Sequence, residues 1–174
     1  RTCGGDGVVK GDEVVEINIP AGVQDGMVLT VAGKGNAGKR NGYPGDIQVL
    51  ISEESNDTFE RDGQNLYYNL VLDFATATLG GEVDVPTIEG KTTVKIEPGT
   101  QPGKQIRLRG KGLPAVKGYG YGKGDIICNV TVYVPKTLTK EEKELIKKLK
   151  DSENFKADNA TKKTLFDSLK NLFK

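Results

Sequence analysis

One stretch of this chain occurs twice, and the repetition restricts the fold more than any other feature. Ile17 to Gly35 and Val94 to Gly112 carry the same pattern in register, with Gly22, Gln24, Gly26, Gly33, Lys34 and Gly35 falling on Gly99, Gln101, Gly103, Gly110, Lys111 and Gly112. Each copy then runs through a glycine-rich loop into a Gly-Asp pair and an apolar run. That run is Gly45-Asp46-Ile47-Gln48-Val49-Leu50-Ile51 in the first copy and Gly124-Asp125-Ile126-Ile127-Cys128-Asn129-Val130 in the second. A repeat of this kind marks one supersecondary unit used twice, so the expectation is two related β modules in tandem. Side chains alternate between the faces of a strand, which puts Met27, Leu29 and Val31 on one face of the first copy and Ile106 and Leu108 on one face of the second. Those side chains build a core or line a groove.

The rest of the chain fits around these copies. Val14 to Ile19 alternates as a strand does and ends at Pro20, and Asp25-Gly26 offers a hairpin turn into the strand from Met27 to Val31. Phe59-Glu60-Arg61-Asp62-Gly63 reads as a turn that carries an aromatic ring out of the first module. Leu66 to Leu72 opens the second. Asp73 caps a short helix from Phe74 to Leu79, which Gly80-Gly81 closes. Glu82 to Pro86 and Lys91 to Ile96 form a hairpin around Glu89-Gly90. The first copy has no counterpart to the segment from Leu66 to Val85. The chain also begins at Arg1, so it reads as a piece of a longer protein with half of module one upstream and a sheet edge left unpaired.

From Pro135 the composition shifts to helix. Thr139-Lys140-Glu141-Glu142 is a capping box, and Leu145, Ile146 and Leu149 form an apolar stripe behind it. A polar linker leads to a second amphipathic stretch in which Leu165, Phe166, Leu169, Leu172 and Phe173 share one helical face. So short a helix is marginal alone; it needs to dock, either on its own β module or on a second chain.

Several function classes are excluded or disfavoured. With 25 basic and 24 acidic residues the net charge is +1, so no global field draws the protein to nucleic acid or anionic lipid. Arg107, Arg109, Lys111 and Lys117 near Tyr119 and Tyr121 carry no RNA-binding signature and read as a solvated loop. No apolar run approaches the ~20 residues of a membrane span. There is no histidine, which removes imidazole-based triads and most catalytic zinc sites, and no nucleophile and base stand at a readable spacing, so the chain is not expected to be an enzyme. Gly33 to Arg40 approximates a phosphate-binding loop, but Arg40 stands where a hydroxyl is needed and turn formers follow in place of a helix. Cys3-Gly4-Gly5-Asp6-Gly7 is either a surface turn or the second half of a zinc knuckle.

The matching pieces together resemble one family. Cys3-Gly4-Gly5-Asp6-Gly7, Ile19-Pro20-Ala21-Gly22-Val23, Phe59-Glu60-Arg61-Asp62-Gly63, Leu79-Gly80-Gly81, Val85-Pro86-Thr87, Pro98-Gly99-Thr100-Gln101, Arg109-Gly110-Lys111-Gly112 and the tail from Lys162 to Phe173 are similar to the C-terminal half of the DnaJ family of J-domain co-chaperones. The resemblance implies a mainly β fold of two tandem related small β-sandwich domains, the first truncated, followed by C-terminal α-helices. It divides the chain into a remnant of the zinc region at 1–7, the second half of a first client-binding domain at 8–62, a second client-binding domain at 63–135 and a helical dimerisation segment at 136–174.

By the same resemblance Cys3 is a zinc ligand in the intact protein only. The family's other zinc cysteines are absent, so no cofactor is expected in this piece. Phe59, by motif, and Leu29 and Val31, by strand parity, are the candidate client-binding residues; Leu165, Phe166, Leu169, Leu172 and Phe173 are the candidate dimerisation residues. The implied partners are unfolded or extended polypeptides, a DnaK-type chaperone and a second copy of the chain, in the cytoplasm, with no nucleic acid or membrane. The family's His-Pro-Asp motif is missing, so this piece is not expected to stimulate the partner's ATPase. A structural or glycan-binding β-sandwich, with Tyr119 and Tyr121 as a sugar platform, is the alternative.

Overall fold

A computed structural model describes residues 7–156 of the 174-residue chain. The fold is mainly β. The described residues form eight strands, β1 (Val28–Val31), β2 (Ile47–Leu50), β3 (Glu60–Asp62), β4 (Asn65–Asp73), β5 (Gly81–Thr87), β6 (Gly90–Ile96), β7 (Gln105–Leu108) and β8 (Ile126–Tyr133), with two α-helices, α1 (Phe74–Leu79) after β4 and α2 (Lys140–Lys150) after β8. The strands form three sheets, β1-β2, β3-β4-β8-β7 and β5-β6. Two compact units result. Among the described residues, one joins Leu108–Ile126 to residues 7–67; the other joins Tyr68–Arg107 to residues 127–156.

The second unit holds most of the core. Alternate residues of β4, Leu70 and Leu72, are buried with Val85 of β5, Val94 and Ile96 of β6, Ala77 of α1, and Cys128 and Val130 of β8. Burial pushes the Cys128 thiol up to about 11, because a thiolate there would lose its hydration. Helix α1 is short because both its ends are fixed. The Asp73 carboxylate accepts from the Thr76 backbone N–H at 2.8 Å and from the Thr76 hydroxyl at 2.6 Å, which holds its carboxyl below the usual carboxylate range. At the other end the Gly80, Gly99 and Thr100 N–H groups donate to the carbonyls of Thr76, Thr78 and Ala77. A Cβ on Gly80, at φ +79°, would lie 2.8 Å from the Ile96 carbonyl oxygen, so this stop tolerates only glycine.

The sequence repeat is also a repeat of hydrogen bonds. In the first copy Gly26 N–H donates to Ile51 O at 3.0 Å, Ile51 N–H to Met27 O at 2.8 Å, and Gly35 N–H to Gly45 O at 2.7 Å. In the second, Gly103 N–H donates to Val130 O at 2.8 Å, Val130 N–H to Lys104 O at 2.9 Å, and Gly112 N–H to Gly124 O at 2.9 Å. Asp46 accepts from Gly33 N–H and Asp125 from Gly110 N–H, both at 2.8 Å. Gly33 and Gly110 share a left-handed conformation, φ +67° and +68°. Gly35 and Gly112 are glycine for another reason: a Cβ would stand 2.8 Å and 2.6 Å from the backbone of the returning chain.

The copies differ in what covers them. Leu29, Val31, Ile47 and Val49 share one face of the β1-β2 ladder and are half-buried. Their counterparts in β8, Ile126 and Cys128, are fully buried.

Two local expectations are corrected. Val14 to Ile19 forms no strand, although its counterpart Val94–Ile96 lies in β6 and pairs with β5; among the described residues no strand pairs with it, and a lone strand leaves its ladder groups unmade. Asp25-Gly26 is consequently not the tip of a hairpin from that segment. It closes instead on the end of β2, with the Asp25 carboxylate accepting from the Glu53 N–H at 2.9 Å. Phe59 to Gly63, read as a turn, contributes strand β3, which pairs with the start of β4.

The asymmetry in cover has an energetic consequence. Leu72→Ala, which empties a fully buried site, is expected to cost about 2–5 kcal/mol in urea unfolding, whereas the half-buried Leu29→Ala is expected to cost less than half as much. Equal losses would contradict the placement of the core.

Candidate functional site

In the first unit, strand β3 is held by its own side chains. Asn56 accepts through Oδ1 from the N–H groups of Thr58 and Phe59, at 2.8 and 2.9 Å, a local turn that delivers Phe59 into the strand. Phe59 and Arg61 are half-buried while Glu60 and Asp62 between and after them are exposed, as strand alternation requires.

Arg61 spends its guanidinium on four acceptors. Nε donates to Gly63 O at 2.9 Å. One terminal nitrogen donates to Val23 O at 2.9 Å and to the Glu53 carboxylate at 3.1 Å. The other donates to Gly22 O at 2.9 Å. Arginine alone has donors spread over a planar fork wide enough for this. The Pro20 to Val23 turn that feeds β1 is therefore tied to the strand that directly follows Phe59. The far side of the same turn is closed too: Gly22 is at φ +83°, and a Cβ there would lie 2.2 Å from the Pro114 carbonyl oxygen.

The second glycine-rich loop completes the unit. Leu113 N–H donates to Gln64 O at 2.9 Å, Leu66 N–H to Asp125 O at 3.0 Å, and Asp125 N–H to the Asn65 side chain at 3.0 Å. Gly112 and Gly124 both pass so close to Gln64 O that a Cβ on either would collide with it, at 2.6 and 2.2 Å. These contacts are why the loop from the second copy belongs with the first unit.

Three of the expected site residues lie in this unit. Phe59 precedes β3, and Leu29 and Val31 lie on the half-buried face of β1 opposite Val49 and Ile47. Leu165, Phe166, Leu169, Leu172, Phe173 and Cys3 lie outside the described residues. The sequence reading missed Arg61 and also the opposite face of β1-β2. There Val28 and Leu50 stand directly across from each other, 53% and 69% exposed. The same cross-strand position in the second copy holds Gln105 and Asn129, which hydrogen-bond at 3.0 Å. Strand parity could have found both pairs, as the residues on the face opposite Leu29 and Ile106.

In the second unit an open groove of about 440 Å³ runs along β7 and β8, lined by Pro102, Gly103, Gln105, Asn129, Val130 and Thr131. Helix α2 starts at the expected capping box, Glu142 N–H donating to the Thr139 hydroxyl and Thr139 N–H to the Glu142 carboxylate at 2.7 Å. Its Leu145, Ile146 and Leu149 stripe remains exposed. The chain after α2 returns to α1, where Phe155 and Phe74 meet with ring centroids 6.1 Å apart.

Other chemistries find little to work with. The loop from Gly33 turns through a 3-10 turn at Lys39–Asn41 with Arg40 at φ +53° and runs into β2, so no helix N-terminus faces it. Among the described residues no group of three or more His, Cys, Asp or Glu side chains is placed to hold a metal ion, so these residues do not fit a zinc site. No helix among them is long and apolar enough to cross a membrane. Tyr119 is 86% exposed on its loop, but Asp125, the carboxylate nearest in sequence, accepts from Gly110.

The sequence profile of the DnaJ C terminal domain matches residues 6–135. The chain belongs to the DnaJ C-terminal domain family. Among its relatives, a "Chaperone protein DnaJ" from Bacteroides fragilis is 55% identical over 173 residues, covering 99% of this chain and 43% of that protein. One of the same name from Bacteroides thetaiotaomicron is 54% identical over the same coverage, and one from Porphyromonas gingivalis is 46% identical over 94% of this chain and 42% of its own length. The chain thus spans less than half the length of the DnaJ proteins it matches. The matched region takes in both hydrogen-bonded copies, Arg61 and the loop it helps to fasten.

Proposed function

We propose that this chain is the client-binding and dimerising part of a DnaJ-type co-chaperone, without catalysis of its own, acting in the cytoplasm and passing unfolded polypeptides to a DnaK-type chaperone. Family membership, with relatives called chaperones at 55% and 54% identity, is the observation that carries this reading. Residues 8–62 and 63–135 act as the two client-binding domains, and 136–174 as the dimerisation segment. The recurrence of one set of backbone bonds in both copies supports treating them as equivalent binding elements.

The chemistry follows from strand edges. An extended client that adds to an edge gains main-chain hydrogen bonds that do not depend on its sequence, while a pocket for one or two large apolar side chains adds mild selectivity. In the first unit Phe59, Leu29 and Val31 supply the apolar contact. In the second, β7 lies at the end of its sheet and borders the open groove. Two such weak sites on one client, and two more on a second copy, act through effective concentration rather than through any single tight contact. Zinc belongs to the longer protein, in which Cys3 is one of its ligands. The glycan alternative would need a free carboxylate beside the exposed tyrosines, and Asp125 is engaged with the loop backbone.

Two measurements test the reading. Phe59→Ala is expected to weaken capture of a denatured client, such as reduced and carboxymethylated lactalbumin in fluorescence anisotropy, by about tenfold, the loss typical of one buried aromatic anchor; unaltered capture would remove Phe59 from the site. Deleting Leu165 to Phe173 is expected to convert a dimer to a monomer in sedimentation, and an unchanged mass would refute the assignment of the tail.

A further inference from the structure

The binding residues of the first unit lie on separate pieces of chain, and one side chain ties those pieces together. Phe59 arrives immediately before β3, whereas Leu29 and Val31 arrive on β1, after the Pro20 to Val23 turn. We infer that Arg61 is a positioning residue for client binding: it fixes the strand that directly follows Phe59 against the turn that sets β1. The inference rests on the client-binding reading of Phe59 given above.

Three observations carry it. Arg61 stands two residues after Phe59, both half-buried with the exposed Glu60 between them, so whatever holds its guanidinium holds the short backbone that orients the ring. Its terminal nitrogens reach Gly22 O and Val23 O at 2.9 Å each, across 39 and 38 residues of sequence, and the Arg61 side chain is only 17% exposed where it also meets Glu53. Finally, the turn it grips is itself confined, since a side chain at Gly22 would collide with the Pro114 carbonyl. A bond to a rigid acceptor transmits position, whereas one to a free loop would only tether it. Two backbone carbonyls and a carboxylate on one fork also exceed what a lysine ammonium could satisfy in the same geometry.

A merely stabilising arginine and a positioning arginine differ in how they combine with Phe59. The test is a double-mutant cycle on the 174-residue chain, with anisotropy of labelled, reduced and carboxymethylated lactalbumin as readout and unfolding midpoints measured for every variant. Phe59→Ala is expected to weaken binding about tenfold and Arg61→Met about fivefold, while the double variant falls only about tenfold, because Arg61 acts through the ring. Arg61→Lys is expected to behave like Arg61→Met in binding, although it keeps the charge, and it takes the place of Arg61→Met in the cycle if that variant does not fold. Should Phe59→Ala bind as the parent does, the client-binding reading fails and this inference with it. If Phe59→Ala weakens binding but Arg61 variants are neutral, or the losses multiply to about fiftyfold, the reading stands and the positioning role is overturned.

Discussion

A glycine N–H held by an aspartate side chain closes each repeat of this protein. Asp46 on Gly33 and Asp125 on Gly110 bring the end of a long loop back to its beginning at 2.8 Å, and the Gly35–Gly45 and Gly112–Gly124 backbone bonds follow directly beside them. That closure sets where the next strand starts, which sets the register of β2 against β1 and the start of β8 beside β7. A glycine is required on both counts, once for a left-handed φ at Gly33 and Gly110 and once because a Cβ on Gly35 or Gly112 would collide with the returning backbone. The repeated Gly-Lys-Gly and Gly-Asp pairs in the sequence are the record of this one constraint.

The two copies put the same frame to different uses. In the second unit Cys128 and Val130 of β8 are buried, as are Val85 of β5, Val94 and Ile96 of β6 and Ala77 of α1, and Gln105 and Asn129 hydrogen-bond on the opposite face. In the first unit the inward face is half-buried and the outer face bears the apolar Val28–Leu50 pair. Arg61 gives this looser unit a fixed point, joining β3 to the turn before β1 through backbone carbonyls that impose geometry without imposing sequence.

Much of this was legible in the residues. The repeat, the Asp73 cap and Gly80 stop of α1, the hairpin around Glu89-Gly90 and the Thr139 to Glu142 capping box all rest on local rules, and each falls where those rules put it. The misses share a different cause. Val14 to Ile19 has the alternation of a strand, but alternation does not provide a partner. Arg61 reads as one more charged residue in a turn, because its acceptors are backbone carbonyls that no side-chain pattern announces. The loop from Leu108 to Ile126 groups with the first unit through glycines packed on Gln64, a contact whose partner lies far off in the chain. Leu29 and Val31 were placed on the right face by parity, yet parity alone does not distinguish a core face from a groove. The tail residues and Cys3 lie outside the described region, and their roles stand on family likeness.

The duplicated closure is most directly tested by amide hydrogen exchange, read residue by residue in NMR. The account predicts slow exchange at four glycines in two matched pairs, Gly33 with Gly110 and Gly35 with Gly112, and greater protection in the second copy, whose strands back onto the buried core. Exchange at free-peptide rates in either pair, or protection confined to one copy, would contradict it.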